Sequence, residues 1–324
     1  MPKKVLVTGA SGFLGSHICE ALHEAGYEVH ALIRETSSRQ WLDHHWLTVH
    51  VCELDDRKTL ARILKGADAV IHNAGALPGS SEAELRLANV ESTRILAEEA
   101  IKAGVRGFVY ASSRSAGGVN TGGFLKTEDE PDSSTVSYGK SKKQAEEILY
   151  SLRKKIHAVS LRYSLIYGPR DRHLLRLFKI VNGSIVPIPG FKPIYAPMVY
   201  VEDAARAAVA ALQAPVDSGS FYYISDGVEY TLDLIYDFIM QVLGKSGVRV
   251  RVPLWVASVA AWWMNGVMRK ETGLSPDSVR DLRSRYRLVS PKRAIRELGW
   301  RPEVTPQEGF AETVRWYRDQ GWLK

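Results

Sequence analysis

The sequence predicts an α/β fold built on a doubly wound parallel sheet, followed by a smaller mixed C-terminal domain. Two patterns predict this class. Short apolar runs rich in β-branched residues alternate with amphipathic helical stretches, and a glycine-rich turn directly follows the first run. After about residue 168, repeated prolines and glycines interrupt the alternation. The 324 residues are enough for a main domain and a smaller partner.

The alternation predicts each element of the main sheet in turn. The predicted strands cover residues 4–8, 28–33, 48–52, 69–73, 107–111 and 157–162, and the predicted helices cover 14–24, 58–65, 90–103 and 139–153. Strands joined by helices at this spacing pair in parallel through right-handed crossovers. We assign residues 1–167 to the first domain and 168–324 to the second. Further strands at 199–201 and 221–224 are expected to return to the main sheet, so that about 195–225 rejoins the first domain.

Composition and charge exclude several classes of protein. The formal net charge of +7 is accompanied by no recognised nucleic-acid module, so we expect no nucleic-acid partner. Cys19 and Cys52 lack the neighbours of a metal site or redox pair, which indicates two buried thiols in a reducing cytosol. The histidines show no metal-ligand spacing. The longest apolar stretch, residues 254–268, is too short and too interrupted to span a bilayer, and no signal peptide is apparent. These features predict a soluble, cytoplasmic protein.

A glycine-rich turn at residues 9–15 predicts a dinucleotide site. Gly9 allows a tight turn after the first strand, Gly12 lets the backbone approach a pyrophosphate, and Gly15 lets the following helix pack closely on the strand. The backbone of Ser11, Phe13 and Leu14 completes the turn, and the helix N-terminus offers free N–H groups to phosphates. Because the strand and the helix are both in place, the context supports the motif.

The spacing Gly-x-x-Gly-x-x-Gly after a threonine resembles the extended branch of the short-chain dehydrogenase/reductase superfamily, with a Rossmann-type sheet and a C-terminal substrate domain. Further matching segments follow in the family's order: residues 70–75 (VIHNAG), 89–93 (NVEST), 138–142 (YGKSK), 167–170 (YGPR) and 199–203 (VYVED). The resemblance covers nearly the whole chain. It implies that Glu53, Leu54, Asn73, Ala74, Gly75, Asn89 and Tyr163 contact the cofactor, beside the glycine turn.

The end of the second strand bears on the choice between NADP and NAD. In this fold an acid at that point binds the ribose hydroxyls, whereas an arginine accommodates a 2′-phosphate. Ile33 occupies the expected position of the acid and Arg34 follows it, with Ser37 and Ser38 as further donors. We therefore favour NADP. A shift of one residue would instead make Glu35 the ribose acid and favour NAD, so both alternatives stay open.

Tyr138 and Lys142 are four residues apart in a predicted helix and therefore share one face. An ammonium beside a phenol favours the phenolate, which suits a group that exchanges protons. By resemblance, Lys142 also binds the nicotinamide ribose, Tyr138 is the acid–base residue, and a hydroxyl at the end of the fifth strand binds the reacting oxygen. Aligning residues 116–118 with the family's pattern assigns that hydroxyl to Ser113, although a register slip would exchange it with Ser112.

The substrate pocket is expected to be apolar. Members that act on nucleotide sugars carry an asparagine and an arginine where this chain has Leu165 and Ala196, and a buried diphosphate would lack those partners. Residues 254–268 are rich in tryptophan and form either a core helix, a lid or a membrane-surface contact. These features are similar to those of 3β-hydroxysteroid dehydrogenases and dihydroflavonol reductases.

The resemblance implies hydride transfer between a nicotinamide cofactor and a hydrophobic secondary alcohol or carbonyl compound. Two alternatives remain. A nucleotide-sugar epimerase or dehydratase would reduce and reoxidise its cofactor within one turnover, with Arg170, Arg172 and His173 available to an anion. A non-catalytic NADP sensor would have no need of Ser113, Tyr138 and Lys142 together. The resemblance also implies a homodimer formed through the helices at 90–103 and 139–153.

Overall fold

The computed structural model describes residues 3–120, 125–183, 185–253 and 288–323. Its strands are β1 (Lys4–Thr8), β2 (Glu28–Ile33), β3 (Leu47–Val51), β4 (Ala69–His72), β5 (Gly107–Ser113), β6 (His157–Tyr163), β7 (Leu165–Tyr167), β8 (Ile185–Pro189), β9 (Met198–Tyr200), β10 (Phe221–Ile224) and β11 (Val248–Val252). Its α-helices are α1 (Phe13–Glu24), α2 (Arg57–Leu64), α3 (Glu82–Leu85), α4 (Ser92–Lys102), α5 (Arg114–Gly117), α6 (Ser137–Leu152), α7 (Leu175–Val181), α8 (Val201–Gln213), α9 (Leu232–Leu243), α10 (Lys292–Leu298) and α11 (Pro306–Asp319). A π-helical segment, Arg86–Glu91, joins α3 to α4.

Seven parallel strands form the main sheet in the order β10–β6–β5–β4–β1–β2–β3. The order reverses between β1 and β4, which are paired with Thr8 opposite His72. In open α/β sheets, ligands bind at the carboxyl ends of the strands where the order reverses. The ends of β1 and β4 therefore define the crevice in which a dinucleotide site is expected.

Helices cover both faces of this sheet. On β1, Val5 and Val7 pack into one core cluster with α1 and α8, whereas Leu6 packs into a second cluster with α2, α4 and α6. This alternation follows from the period of two along a strand whose two faces are both buried. The predicted doubly wound α/β fold is confirmed.

A smaller lobe is built from two-stranded sheets, β7–β9 and β8–β11, with α7, α9 and α11 packed around them. Its core is rich in aromatic rings, including Tyr167 stacked on Phe310 with centroids 4.7 Å apart. Aromatic side chains bury large areas, which suits a lobe with short strands. In the described part of the chain, no helix is long and apolar enough to cross a membrane.

The predicted elements of the main sheet match the structure to within two residues. β10 joins the main sheet beside β6, as expected. The strand near residue 200 behaves differently, because β9 pairs with β7 in a separate sheet and α8 begins at Val201. Cys19 and Cys52 are buried and free, as expected. The tryptophan-rich stretch at 254–268 lies outside the described residues.

Candidate active site

The glycine turn forms a tight cradle at the end of β1. Gly9 has a φ of +65°, and a Cβ added there would lie 2.8 Å from the Ala74 nitrogen. A Cβ on Gly15 would collide with the Gly9 carbonyl, so the helix contacts the turn with no room for a side chain. The Gly12 amide donates to the Gly9 carbonyl at 3.0 Å. The sequence therefore requires glycine at these points for steric reasons.

The first turn of α1 fits an anion. Gly12 is the N-cap and has no side chain, so no side chain caps the amides of Phe13, Leu14 and Gly15. Such amides carry the positive end of the helix dipole and bind phosphate groups well. Ser11 lies in the same turn and is half-buried. This arrangement fits the pyrophosphate of a dinucleotide.

The loop after β4 is fixed against the π-helical segment. The Asn89 side chain accepts a hydrogen bond from the Ala76 amide at 2.8 Å and donates to the Ser141 hydroxyl on α6 at 2.9 Å. A Cβ added to Gly75 would lie 2.5 Å from Asn89 Oδ1 and 3.3 Å from Lys142 Nζ. Buried Asn89 thus ties the end of β4 to the helix that carries Tyr138 and Lys142.

Next to Asn89, the Asn73 side chain donates to the Gly9 carbonyl at 3.4 Å, and the Ala74 amide donates to the Thr8 hydroxyl at 3.1 Å. The ends of β1 and β4 are therefore joined by hydrogen bonds as well as by strand pairing. The structure brings together, at the carboxyl ends of β1 and β4, Gly9, Ser11, Gly12, Phe13, Leu14, Gly15, Asn73, Ala74, Gly75 and Asn89.

Tyr138, Lys142 and Ser113 meet at the same end of the sheet. The Ser113 side chain lies close enough to that of Tyr138 to act on the pKa of the phenol. Lys142 donates to the Ala111 carbonyl at 2.9 Å, and its ammonium lies 4.9 Å from the Tyr110 ring centroid and 6.0 Å from that of Tyr138. These distances bring a hydroxyl, a phenol and an ammonium within reach of one small reacting group.

The two candidate serines have different partners. Ser112 donates to Glu146 at 2.5 Å and is buried, whereas Ser113 lies beside Tyr138, where it acts on the pKa of the phenol, and accepts from the Ser115 amide at 3.2 Å. Successive side chains of a strand point away from each other, so only one of the two hydroxyls reaches the phenol. The geometry favours Ser113 for the oxygen-binding role.

Burial acts on the ionisation of both catalytic candidates. It raises the pKa of Tyr138 to about 12, against an opposing effect of the Ser113 hydrogen bond and the nearby Arg114. It lowers the pKa of Lys142 to about 8, with Glu146 acting in the opposite direction. Tyr138 is therefore protonated near neutral pH in the cofactor-free protein, and Lys142 is close to its point of titration.

A family model described as the NAD dependent epimerase/dehydratase family matches residues 5–224. The chain belongs to this family. The predicted resemblance to extended short-chain dehydrogenases/reductases is confirmed. The chain is 28% identical to ceramide reductase from Caulobacter vibrioides, covering 98% of this chain and 96% of the relative. It is also 28% identical to a 3-beta-hydroxysteroid dehydrogenase from Mycolicibacterium neoaurum, with 98% and 92% covered.

Among solved structures of the epimerase/dehydratase family, the chain resembles the UDP-glucose 4-epimerase of Thermus thermophilus in complex with NAD. The TM-score is 0.78 at 26% identity, with 97% of this chain and 99% of the other covered. The match extends over both lobes, since nearly all of each chain is included. The family thus includes relatives named for apolar substrates and relatives named for nucleotide sugars.

The loops after β2 and β3, predicted to meet the adenosine of a cofactor, are more exposed. Arg34 and Glu35 follow β2 and are both exposed. The Ser37 hydroxyl accepts from the Arg34 amide at 3.1 Å, and the Ser37 amide donates to the Arg34 carbonyl at 3.0 Å, which closes a turn. Glu53 is exposed, and Leu54 packs against the core beside α2.

Tyr163 pairs with Ser113 across the sheet, but its side chain packs into the core. Its side chain belongs to the core cluster shared by β6 and α8, and its hydroxyl donates to the Ala204 carbonyl at 3.0 Å. Arg170, considered as an anion ligand, donates to Ser16 at 3.0 Å and to Glu20 at 2.7 Å. It therefore fastens the loop after β7 to α1.

Sequence reasoning missed a buried charge cluster next to the predicted catalytic residues. Arg162 on β6 is 0% exposed and binds Glu146 on α6 and Asp132 in the preceding loop. An arginine in a strand and a glutamate in an amphipathic helix usually indicate solvent-facing positions. The one available signal was that Glu146 lies four residues after Lys142, on the same helix face.

Proposed function

We propose that this chain is an NAD(P)-dependent oxidoreductase that interconverts a hydrophobic secondary alcohol and its carbonyl compound. The observation that carries the proposal is the meeting of Ser113, Tyr138 and Lys142 at the carboxyl end of β5. These three polar groups lie next to a glycine turn that fits a dinucleotide, and they can exchange a proton with the oxygen of a bound alcohol or carbonyl compound. A binding protein for the dinucleotide would have no need of them.

The residues of the crevice fit a dinucleotide. Gly9 and Gly15 leave no room for a Cβ, and the uncapped amides at the start of α1 suit its pyrophosphate. Asn73, Ala74, Gly75 and Asn89 form the wall beneath it in our assignment. When bound, the nicotinamide supplies or accepts a hydride.

The protein's own contribution is positioning and proton transfer. Ser113 donates a hydrogen bond to the substrate oxygen, next to the Tyr138 hydroxyl that it already contacts. Tyr138 gives its phenolic proton to that oxygen in the reductive direction and takes a proton from it in the oxidative direction. The Lys142 ammonium favours the phenolate that reduction leaves behind. Charged Lys142 is therefore needed for turnover in our mechanism.

An apolar substrate is supported by the pocket residues and by the relatives. Leu165 and Ala196 replace the polar side chains that a diphosphate requires, and Leu165 is 39% exposed. A diphosphate next to them would lack charged partners. Ceramide reductase and 3-beta-hydroxysteroid dehydrogenase are relatives whose names denote apolar substrates.

We further propose that NADP is preferred to NAD. Arg34 is exposed just after β2 and forms no ion pair within the described residues. A free guanidinium is a strong ligand for a 2′-phosphate. The serine turn fixes the backbone from which the Arg34 side chain extends.

A nucleotide-sugar epimerase is the second candidate, favoured by the likeness to the Thermus UDP-glucose 4-epimerase over both lobes. The two reactions differ in their cofactor balance. An oxidoreductase consumes free reduced cofactor in proportion to product, whereas an epimerase restores its cofactor in every turnover.

The proposal is tested by measuring the consumption of reduced cofactor with a panel of ketosteroids and N-acylated ketosphingoid bases. UDP-glucose is included to test the epimerase alternative. Tyr138→Phe is expected to lower the rate by about 10²–10⁴-fold, while the cofactor Kd stays within about twofold. Tyr150→Phe, at an exposed position on the same helix, is the matched control and should retain the wild-type rate. Wild-type turnover by Tyr138→Phe would show that another group transfers the proton.

A further inference from the structure

Three successive residues at the end of β5 contact three residues of α6 that are spaced four apart. The contacts are Ala111 with Lys142, Ser112 with Glu146, and Ser113 with Tyr138. Residues four apart on a helix lie on one face, so the strand end and the helix face are held together along two helical turns. Glu146 makes the contact with Ser112, and it is not one of the residues proposed to contact a substrate.

Glu146 is itself held in a fixed orientation. It is buried, and Arg162 binds both of its carboxylate oxygens, with Nε to Oε1 at 2.9 Å and Nη2 to Oε2 at 2.6 Å. Asp132 binds the same guanidinium from another side at 2.7 and 2.8 Å, and the Tyr223 hydroxyl lies 3.1 Å from Nη1. Bidentate pairing of this kind fixes geometry as well as charge.

We propose that Glu146, oriented by Arg162, is a positioning residue for the reaction: it fixes the end of β5 against α6 and keeps the Lys142 ammonium charged. The inference rests on the proposed roles of Tyr138 and Lys142. It assigns to the buried charge cluster a part in catalysis in addition to its part in folding.

The groups around Lys142 support the electrostatic part of the proposal. From β5 it meets the Ala111 carbonyl and the Tyr110 ring, and from α6 the Tyr138 ring and Glu146. From β4 it faces His72, whose pKa burial lowers to about 3, so that this ring is neutral near pH 7. Asn89 and Gly75 contribute no charge. Within the described residues, Glu146 is therefore the carboxylate that opposes the effect of burial on Lys142.

The first test is a direct titration of Lys142 in the cofactor-free protein. Lysine labelled with ¹³C at Cε is incorporated, and the Lys142 resonance is assigned by its loss in Lys142→Met. Glu146→Gln keeps the size of the side chain and removes its charge, and it is expected to lower the Lys142 pKa by about one unit. Asp132→Asn removes a carboxylate from the other side of the same guanidinium, and it should lower that pKa by less.

An unchanged Lys142 titration in Glu146→Gln would overturn the electrostatic part. This measurement needs no substrate, so its failure is distinguishable from failure of the proposed function. In turnover, Glu146→Gln should also shift the alkaline limb of the kcat profile to lower pH, in the same direction as the titration. A purely structural role would lower kcat at every pH and leave the limb in place.

The positioning part is tested with Ser112→Ala, which removes one contact and no charge and remains informative if Glu146→Gln does not fold. Losing this hydrogen bond is expected to lower kcat by about fivefold or more, because a positioning contact contributes about 1 kcal/mol. The KM and the Lys142 pKa should both stay at their wild-type values. A wild-type kcat in Ser112→Ala would show that the contact positions nothing.

Discussion

Ser112 and Ser113 are neighbours on β5, and their side chains meet Glu146 and Tyr138, which are eight residues apart on α6. Only Ser113 reaches Tyr138, so only Ser113 has access to an oxygen that Tyr138 protonates. We expect Ser113→Ala to lower kcat by about 10²–10³-fold, the usual effect of removing a donor to a reacting oxygen. The cofactor Kd should be unchanged. Single-turnover rates of Ser113→Ala and Ser112→Ala test this, since a larger loss in Ser112→Ala would exchange the two roles.

Gly9 and Gly26 both adopt left-handed backbone, with φ of +65° and +80°, but only Gly9 has close neighbours. Alanine at either position carries the backbone strain, about 1–2 kcal/mol. At Gly9 the added Cβ also meets the Ala74 backbone, whereas at Gly26 nothing lies within 4 Å. We expect both variants to lose stability in urea unfolding and only Gly9→Ala to lose cofactor binding by calorimetry. Equal cofactor affinities in the two variants would contradict the steric role of Gly9.

The parts of this site that sequence patterns predicted are those formed by neighbours in the chain. The glycine turn works through backbone atoms of residues 9–15, and Tyr138 and Lys142 share a helix face by spacing alone. The ion pair of Glu146 with Arg162 joins α6 to β6, and its distances follow from the packing of the two elements. Each residue by itself resembles an exposed charge, so their pairing carries no local signal.

The conformation at the start of the helix predicted at 90–103 also carries no local signal in the sequence. Its periodicity indicated an ordinary helix, whereas the structure has a π-helical segment, Arg86–Glu91, leading into α4. That segment carries Asn89, whose side chain bonds to Ala76 and Ser141. A π-helical turn rotates the following side chains relative to an α-helix, and such turns concentrate at functional sites. Hydrophobic periodicity does not distinguish the two kinds of helix.

Arg34 is predicted to decide the cofactor. If it binds a 2′-phosphate, Arg34→Ala should raise the Kd for NADP by about tenfold or more, because a charge-assisted hydrogen bond contributes about 1.5–3 kcal/mol. The Kd for NAD should stay the same. Arg39→Ala, an exposed arginine in the same loop, is the control. Calorimetry with both dinucleotides measures this. Weaker NAD binding in Glu35→Ala, with no effect of Arg34→Ala, would instead indicate that Glu35 binds the adenosine ribose.

His72 is predicted to limit stability in acid. It is 0% exposed, with Nδ1 2.7 Å from the Thr8 hydroxyl and Nε2 3.0 Å from that of Thr93. Thr93 donates its own proton to the Asn89 carbonyl at 2.6 Å, so it must accept from Nε2–H. His72 is then neutral, accepting from Thr8 through Nδ1. A proton added to Nδ1 would break this network, in agreement with the lowering of the His72 pKa to about 3 by burial.

His72 is expected to make the folded protein less stable as the pH falls below about 6.5. The unfolded chain binds a proton at His72 near the ordinary pKa of about 6.5, whereas the folded chain does not until about 3. The contribution of His72 to the free energy of unfolding is therefore fully present above about pH 6.5. It falls by up to about 1.4 kcal/mol per pH unit between about pH 6.5 and pH 3. His17 adds to the loss, since burial lowers its pKa to about 4. His72→Gln retains a donor and an acceptor but does not titrate.

We expect His72→Gln to be less stable than wild type at pH 7 and to lose less stability between pH 6.5 and pH 4, measured by urea unfolding at each pH. The exposed His45→Gln serves as the control and should follow the wild-type slope. A variant slope equal to that of wild type would mean that His72 is not the group that protonates on unfolding. The pH dependence of the free energy of unfolding would then come from His17 or from the carboxylates.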